Sequence, residues 1–343
     1  MTRLLLAMLL LCVTTQTALS QQTSLASFVR LGRPIMSIGD ESEEGPELFG
    51  FIRGAALASD GRVYVLDLSD NTVRIFGADG RHISTASRRG RGPGDLAYPH
   101  AMLLDGDSLL LVADQVTGVS AFRPTLEGLS FQRSFGVELF PRSICRSDGR
   151  IVVGGYLDSK MLHVVEPNGS VATSFGEAFN HDTIPAVREL ANRTPVLLSC
   201  SAISGRIVMA QHAGSGIGAY SADGARLWLQ TLPEYEGNFY FRDRRGALTT
   251  GYGNDYTESL HWLSDSTVLV QVQRLNRLPG GSGAGRRIAF DVVRVRSYVL
   301  HAADGRILSR GDNLPVVLAI NGSRAVVAPR SEFPRIELRA IFR

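Results

Sequence analysis

Two histidines and two arginines occupy equivalent places in the sequence, each near the start of a predicted strand. They are Arg53, His100, Arg142 and His261, and the same place is taken by Val196 and Val316 in two further repeats. Imidazoles suit transition metals, but such sites usually use three protein ligands, and a third histidine is not evident here. Calcium needs about six oxygen ligands, which this set lacks. We therefore expect no metal and no cofactor, and histidines that hydrogen-bond beside a channel.

Nucleophilic and phosphate-binding motifs are not evident. The glycine-rich segments Gly214–Gly218 and Gly280–Gly285 follow no strand-loop-helix pattern and precede no helix. A nucleophile elbow and a phosphate-binding loop both require that context. We interpret both segments as structural and assign no catalytic residue.

A long connection, Pro233 to Tyr256, mixes aromatic and charged residues. Connections longer than about 15 residues are usually functional or disordered, and aromatic rings argue against disorder. Two interpretations stay open: an outer extension that buries its own rings, or a rim that contacts a ligand. In the second interpretation, residues of this connection bind the ligand together with the channel residues. The ligand-binding candidates are then Arg53, His100, Arg142, Tyr235, Tyr240, Arg242, Tyr256 and His261. Another connection, Glu177–Thr194, predicts a short helix covering the same face.

The elements that must position these residues repeat along the chain. Gly54–Ser87 contains four short β-rich runs, with Asp60-Gly61 and Asp79-Gly80 at two of the turns. Asp-Gly between alternating runs predicts a tight hairpin of type I′, in which both central residues have positive φ. Four consecutive antiparallel strands form one propeller blade.

Six such units follow one another, and their spacing is near the roughly 40–50 residues that propeller blades need. The first turn of each unit falls at Gly61, Gly106, Gly149, Gly205, Asp265 and Gly322. The sixth unit ends after its third strand, whereas the N-terminal run Ser27–Gly39 has no partner. We predict an all-β, six-bladed propeller, a single domain over residues 21–343. Ser27–Gly39 would complete the last blade and so protect both strand edges.

The segment Val63–Ile83, VYVLDLSDNTVRIFGADGRHI, resembles the NHL-type repeat of six-bladed propellers. Prolines lead four later inner strands, as that repeat prefers: Pro99, Pro141, Pro195 and Pro315. GRGPGD, Gly90–Asp95, is similar to a segment of exported bacterial propellers of that group. The resemblance implies the fold and leaves function open, because propellers serve as binding proteins and as enzymes.

The first twenty residues predict a secretory signal peptide. Arg3 precedes the apolar run Leu4–Val13, and Ala18-Leu19-Ser20 forms a cleavage site. Leu11 before Cys12 is too large for the usual lipidation signal. No later run approaches the roughly 18 apolar residues of a membrane span. We expect a secreted or periplasmic protein, without a lipid anchor.

Composition narrows the class of partner. The 343 residues are 44% apolar and 20% charged, which is typical of a globular chain. A net charge of +3 argues against a nucleic-acid-binding protein, because such domains concentrate much more positive charge. Arginine almost replaces lysine, which indicates a GC-rich bacterial genome. We expect a monomer whose partner is a protein or an extracellular small molecule or glycan.

Cys145 and Cys200 are the cysteines that follow the predicted signal peptide. Each precedes the first turn of its unit, and equivalent places in adjacent blades are neighbours. An exported compartment permits oxidation. The sequence leaves two alternatives open, a disulfide between the blades or two small buried thiols.

The segment RRGRGPGDLAYPH, Arg88–His100, concentrates three arginines before a Gly-Pro pair. The bridge before the first unit also contains Gly-Pro, preceded by Asp40, Glu41, Glu43 and Glu44. We predict one recurring turn in both loops, with the arginines facing the acidic loop. An external anion site is the alternative.

Binding on the loop-rich face is the function that these observations favour. The alternative is a hydrolase or lyase that acts on a small molecule in the channel. Three or more convergent Asp, Glu, Asn or His side chains at the channel mouth would favour the enzyme, and the inner-strand positions do not supply them.

Overall fold

The computed structural model describes residues 23–39, 45–177, 194–277 and 290–343. The predicted signal peptide, the acidic residues 40–44 and the predicted helix near Pro185 lie outside these ranges. Within them no helix is long and apolar enough to cross a membrane. The helical segments described are two short 3₁₀ turns, Leu25–Ser27 and Gly45–Glu47.

The described chain forms 26 strands, 24 of which build six four-stranded antiparallel sheets. The first strand, β1 (Arg30–Ile38), belongs to the last of these sheets, which we number as blades 1 to 6. Blades 1 to 3 comprise β2 Ile52–Leu57, β3 Val63–Asp67, β4 Thr72–Phe76, β5 His82–Ala86; β6 Pro99–Asp105, β7 Leu109–Asp114, β8 Gly118–Thr125, β9 Gly128–Phe135; β10 Ser143–Ser147, β11 Arg150–Leu157, β12 Lys160–Val165, β13 Val171–Phe175.

The second half of the chain repeats this order, with one insertion. Blade 4 comprises β14 Val196–Cys200, β15 Ile207–Gln211, β16 Gly216–Tyr220 and β17 Arg226–Thr231, and a separate hairpin follows, β18 Phe239–Arg242 with β19 Leu248–Gly251. Blade 5 comprises β20 Asp255–Ser264, β21 Thr267–Arg277, β22 Phe290–His301 and β23 Ile307–Gly311. Blade 6 comprises β24 Val316–Asn321, β25 Arg324–Ala328, β26 Ile336–Phe342 and β1.

The blades close into a ring. Each inner strand contacts the inner strands of the neighbouring blades, and β2 contacts β24, so the first blade meets the last. The prediction that the N-terminal run completes the last blade is confirmed, because β1 pairs antiparallel with β26. Ile38 stands opposite Ile336, and Met36 stands opposite Leu338. The six-bladed, all-β architecture predicted from the repeats is likewise confirmed.

The apolar core consists of six clusters, each between two neighbouring blades. Met36 and Ile38 of blade 6, for example, pack with Val63 and Val65 of blade 1. Alternation along a strand sends successive side chains to opposite faces, so a middle strand supplies both neighbouring interfaces. This explains why β3, β4, β15 and β16 are buried at every residue.

Two expectations about local geometry are corrected. Asp148 and Gly149 both have positive φ, as a type I′ turn requires, but at Asp60-Gly61 only Gly61 does. There the backbone N–H of Ala58 donates to the Arg62 carbonyl, so the loop spans three residues and ends on a left-handed glycine. In the last blade Val317 lines the channel, at the place predicted for Val316.

Candidate functional site

Strand order assigns every loop to one of two faces. The inner strands begin on one face, which also carries the connections from each outer strand to the next inner strand; we call it the connector face. The first turns of the blades lie on the opposite face, which we call the turn face. The inserted hairpin β18–β19 belongs to the connector face, because it lies between β17 and β20.

Four of the residues predicted from the sequence line one cavity in the connector-face half of the channel, which we call the channel cavity. Its volume is about 180 Å³, and its walls include Arg53, His100, Arg142 and His261. Arg53, His100 and Arg142 come from blades 1, 2 and 3, and His261 comes from blade 5. The repeat therefore brought these distant positions together as the sequence predicted.

A larger cavity, which we call the outer cavity, opens beside the channel on the connector face. Its volume is about 590 Å³. The lining residues are Arg89, Gly90, Arg91, Ala97, Tyr98, Gln115, Val116 and Arg142. Arg142 lines this cavity and the channel cavity, so its side chain lies where the two adjoin.

The Arg88–His100 loop is stabilised by contacts within the loop and by contacts with neighbouring segments. Arg88 pairs with Asp95 at 3.0 Å, and Arg89 donates to the Ser69 carbonyl at 2.8 Å. The predicted partners in the acidic loop lie outside the described residues, so that contact stays a prediction. Arg89 and Arg91 face the outer cavity, a position that suits the anion-site alternative.

The imidazole of His100 is buried, and its Nε2 contacts the Arg142 guanidinium and the Gln115 amide, whose Oε1 lies 3.2 Å away. Arg142 Nη1 lies 2.5 Å from His100 Nε2, and Arg53 Nε donates to the His100 carbonyl at 3.2 Å. Burial, and next the charge of Arg142, lower the pKa of His100 to about 4. The ring is therefore neutral at neutral pH, and its Nε2 can accept the hydrogen bond from Arg142.

Two neighbours approach the same ring nitrogen. Pairing with Arg142, which only donates, places the lone pair on Nε2 and the hydrogen on Nδ1, whereas pairing with Gln115 Oε1, 3.2 Å from Nε2, requires the opposite tautomer. His100 Nδ1 has no hydrogen-bond partner among the described residues, nor has the hydroxyl of Ser143, which lines the same cavity. Both groups line the channel cavity, where a water or a ligand can supply the partner that buried polar groups usually have.

The opposite wall carries residues that the sequence analysis missed. His212 and Glu258 line the channel cavity, with His212 Nδ1 4.0 Å from Glu258 Oε1. His212 Nδ1 donates to the Thr257 carbonyl at 2.8 Å, and His261 Nε2 donates to the Val317 carbonyl at 2.8 Å. Burial lowers the pKa of His261 despite that hydrogen bond. The sequence analysis took one position per inner strand, whereas His212 follows a second strand.

A buried carboxylate fixes the backbone of the outer cavity. Asp114, at the end of β7, accepts hydrogen bonds from the backbone N–H groups of Ala97, Tyr98, Val116 and Thr117 at 2.8–2.9 Å. Three of these four residues line the cavity.

Asp67, at the end of β3, does the same in blade 1, where it accepts from Gly50, Phe51 and Ser69. Burial alone would raise the pKa of Asp67, but these hydrogen bonds together lower it. The recurrence of an Asp at this strand end was a readable sequence signal.

The connection Pro233 to Tyr256 contacts residues around the cavities but does not line them. Tyr235 donates to the His212 carbonyl at 2.8 Å and accepts from the Thr257 N–H at 3.2 Å, and burial raises its pKa. The ring of Tyr256 lies 5.3 Å from that of His212. Tyr240 and Arg242 lie on β18, where Arg242 donates to Gly246 in its own turn. None of the four lines the channel cavity or the outer cavity.

At the turn face the channel widens to a cavity of about 730 Å³. Cys145 and Cys200 line it and form a disulfide with 5.7 Å between their Cα atoms. Of the two alternatives left open by the sequence, the structure contains the bridge, which joins the inner strands of blades 3 and 4. Within the described ranges, no group of three or more His, Cys, Asp or Glu side chains is arranged to hold a metal ion.

Comparison with known proteins supports the architecture. A family model described as a six-bladed β-propeller matches residues 54–154. The chain is a six-bladed β-propeller. No protein of curated function matches this propeller's sequence, and the NHL-type resemblance stays a prediction.

Solved structures of low sequence identity share the propeller's fold. A Bacteroides vulgatus protein is 10% identical, with a TM-score of 0.54 over 92% of this chain and 98% of its own. A Bacteroides fragilis protein, named for its expected export, is 8% identical, with a TM-score of 0.54 over 93% and 96% of the two chains. At such identities the likeness extends to the fold alone.

Proposed function

We propose that the propeller is a binding protein that takes a small ligand on its connector face, in the outer cavity and the adjoining channel cavity. The observation that carries this proposal is the position of Arg142, which lines both cavities. A volume of about 590 Å³ falls in the range of roughly 300–1,000 Å³ typical of ligand pockets. The backbone bonds to Asp114 preorganise the walls, which lowers the entropy cost of binding.

Export and a soluble, monomeric state belong to the same proposal. Export rests on the signal-like first twenty residues, and it makes the ligand an extracellular or periplasmic molecule. N-terminal sequencing of protein recovered from the periplasm tests this part, with a new terminus at Gln21 as the expected result.

Filling the outer cavity tests ligand binding. Val116 is 47% exposed and lines that cavity, so Val116→Trp should occupy it with little effect on the fold. Ile203, 80% exposed at the turn-face cavity, provides the matched control Ile203→Trp. We expect that sugars, sugar acids or amino acids that raise the Tm of the native protein lose the effect in Val116→Trp and keep it in Ile203→Trp. Binding that survives Val116→Trp would contradict the proposal.

A channel enzyme is the second candidate, because His100, His212, His261 and Glu258 all line one cavity. Main-chain carbonyls accept a hydrogen bond from one nitrogen of His212 and of His261, which leaves the other nitrogen of each ring available to a ligand. An imidazole near a carboxylate is a typical general base. Conversion of a bound ligand to product, detected by mass spectrometry and abolished in His212→Gln with binding retained, would favour this candidate.

A further inference from the structure

We infer that the site around Arg142 recognises an oxyanion: a carboxylate, sulfate or phosphate group on the small ligand. This inference rests on the proposed binding function and names the chemical class of its ligand. The anionic group would lie in the channel cavity against Arg53, His100, Arg142 and Ser143, and the rest of the ligand would fill the outer cavity.

The first argument is unbalanced positive charge. Arg89, Arg91 and Arg142 line the outer cavity, and no acidic residue of the described ranges lines it with them. Arg142 is half-buried, and burial together with the charge of Arg53 lowers its pKa. No described carboxylate forms an ion pair with Arg53, Arg91 or Arg142. A guanidinium withdrawn from water without a counter-charge is unfavourable, and a bound anion would supply that charge.

The second argument is the chemistry of the unpaired atoms. His100 is 8% exposed and Ser143 is 7% exposed, and His100 Nδ1 and the Ser143 hydroxyl have no partner in the described chain. The guanidinium groups of Arg53 and Arg142 only donate, the hydroxyl can donate, and Nδ1 donates when Arg142 occupies Nε2. One acceptor in the cavity could therefore satisfy all four groups. An oxyanion accepts hydrogen bonds at every oxygen, and charge assistance strengthens each of them.

The third argument is size. The channel cavity, about 180 Å³, is several times the roughly 30 Å³ that one water molecule occupies, so a compact tetrahedral or planar anion fits. The outer cavity is large enough for a sugar-sized body. Its wall carries the Tyr98 ring, 46% exposed, and the Gln115 amide, a flat apolar surface beside a hydrogen-bonding group.

Two carboxylates near the site bear on the orientation of the ligand. Asp114 is buried, and its oxygens already accept four backbone N–H groups, so it is not available to Arg142. Glu258 lines the far wall of the channel cavity, beside His212. Repulsion from Glu258 would hold the anion on the side of blades 1 to 3, with a neutral or cationic part of the ligand facing blade 5.

The test compares two arginines on the inner strand side of blade 3. Arg142 lies at the connector face, and Arg146 lies at the turn face, where it pairs with Asp105. Calorimetric titrations use sodium sulfate, sodium D-glucuronate, D-glucose 6-phosphate and neutral D-glucose at constant ionic strength. We expect at least one anion to bind, about tenfold or more weaker binding in Arg142→Gln, and unchanged binding in Arg146→Gln. The three anions distinguish sulfate, carboxylate and phosphate recognition.

Arg142→Lys provides a second variant that keeps the charge and loses the planar fork. An intermediate affinity would support bidentate recognition of the anion. The inference is overturned if no anion binds, or if Arg142→Gln binds each anion as tightly as the native protein does. If neutral glucose binds, no anion binds, and Val116→Trp abolishes the glucose binding, the proposed function survives and the oxyanion inference alone fails.

Discussion

His100 is a buried base held next to charged groups, so its protonation should couple to folding. Burial, and next the charge of Arg142, lower its pKa from 6.5 to about 4 in the folded chain, while Gln115 and Asp114 act in the opposite direction. Between these values the unfolded chain binds more protons than the folded chain does. The contribution of neutral His100 to the free energy of unfolding is therefore complete above pH 6.5, and it is lost as the pH falls toward 4.

We expect the free energy of unfolding to fall by up to about 3 kcal/mol over this interval. Urea titrations at several pH values between 4 and 7 measure it. His100→Gln should flatten the slope, because glutamine can still accept from Arg142 but does not titrate. His82→Gln on β5, outside the cavity, is the matched control. An unchanged slope in His100→Gln would assign the pH dependence to other groups.

Asp114 should matter more for stability than its single side chain suggests. Asp114→Asn keeps the shape but replaces one acceptor oxygen by an amide, which leaves backbone donors unpaired near Ala97 and Val116. We expect a loss of about 2–4 kcal/mol in the free energy of unfolding by urea.

Asp79 serves as the control, because its carboxylate caps a turn while 63% exposed. Asp79→Asn should cost less than about 1 kcal/mol. Equal losses in the two variants would show that Asp114 does not organise the loop.

At the scale of strands, ring closure depends on β1. Ile38 is 2% exposed and packs between blades 6 and 1, whereas Ile35 on the same strand is 60% exposed. Ile38→Ala should lower stability by about 2–5 kcal/mol, because it leaves a cavity in that interface. Ile35→Ala should change it by less than about 0.5 kcal/mol. Thermal unfolding of both variants measures the difference, and similar melting points would mean that β1 packs weakly.

Removal of residues 1–39 extends this argument from one side chain to the whole strand. It would expose the edge of β26 and the apolar face beside it, and exposed edges promote association. We expect aggregation or loss of cooperative unfolding, relative to a chain that starts at Gln21. A monomeric truncated protein with an unchanged melting point would contradict closure by β1.

The repeat made the strands predictable, whereas loop geometry depended on contacts outside any single repeat. The Gly-Pro pairs at Gly45 and Gly92 each form a turn, since Leu48 N–H donates to the Gly45 carbonyl and Asp95 N–H to the Gly92 carbonyl, but the prediction that one turn recurs in both loops is wrong. Only the second turn has a positive φ at its third residue, Gly94, so the backbones differ. Alternation and Asp-Gly spacing encode register, but they do not encode which turn type a loop adopts.

The channel residues were predictable for the same reason, and the rest of the site was not. Arg53, His100, Arg142 and His261 share one place in the repeat, so the fold alone brings them together. His212 and Glu258 reach the same cavity from other places in the repeat. Tyr235 was a ligand-binding candidate in the sequence, yet its hydroxyl pairs with the backbone of His212 and Thr257. Such pairings follow from tertiary packing, which local pattern does not report.

For the whole molecule, a strand pairing and a disulfide stabilise the ring at opposite sides. The β1–β26 pairing closes the ring next to the interface of blades 6 and 1, and the disulfide Cys145–Cys200 joins blades 3 and 4. Because six interfaces separate the blades, these two interfaces face each other across the channel. Opening at the closure would therefore leave blades 3 and 4 tied, and reduction would remove that tie.

The disulfide should stabilise the whole ring by constraining the unfolded chain. Its cysteines are 55 residues apart, a separation for which about 2–4 kcal/mol is expected. Urea unfolding with and without dithiothreitol measures this: the native protein should lose stability on reduction, whereas Cys145→Ser/Cys200→Ser should be equally weak in both conditions. Two free thiols in the unfolded, unreduced protein would contradict the bridge. Equal stability of native protein and double variant would mean that blade packing alone holds blades 3 and 4 together.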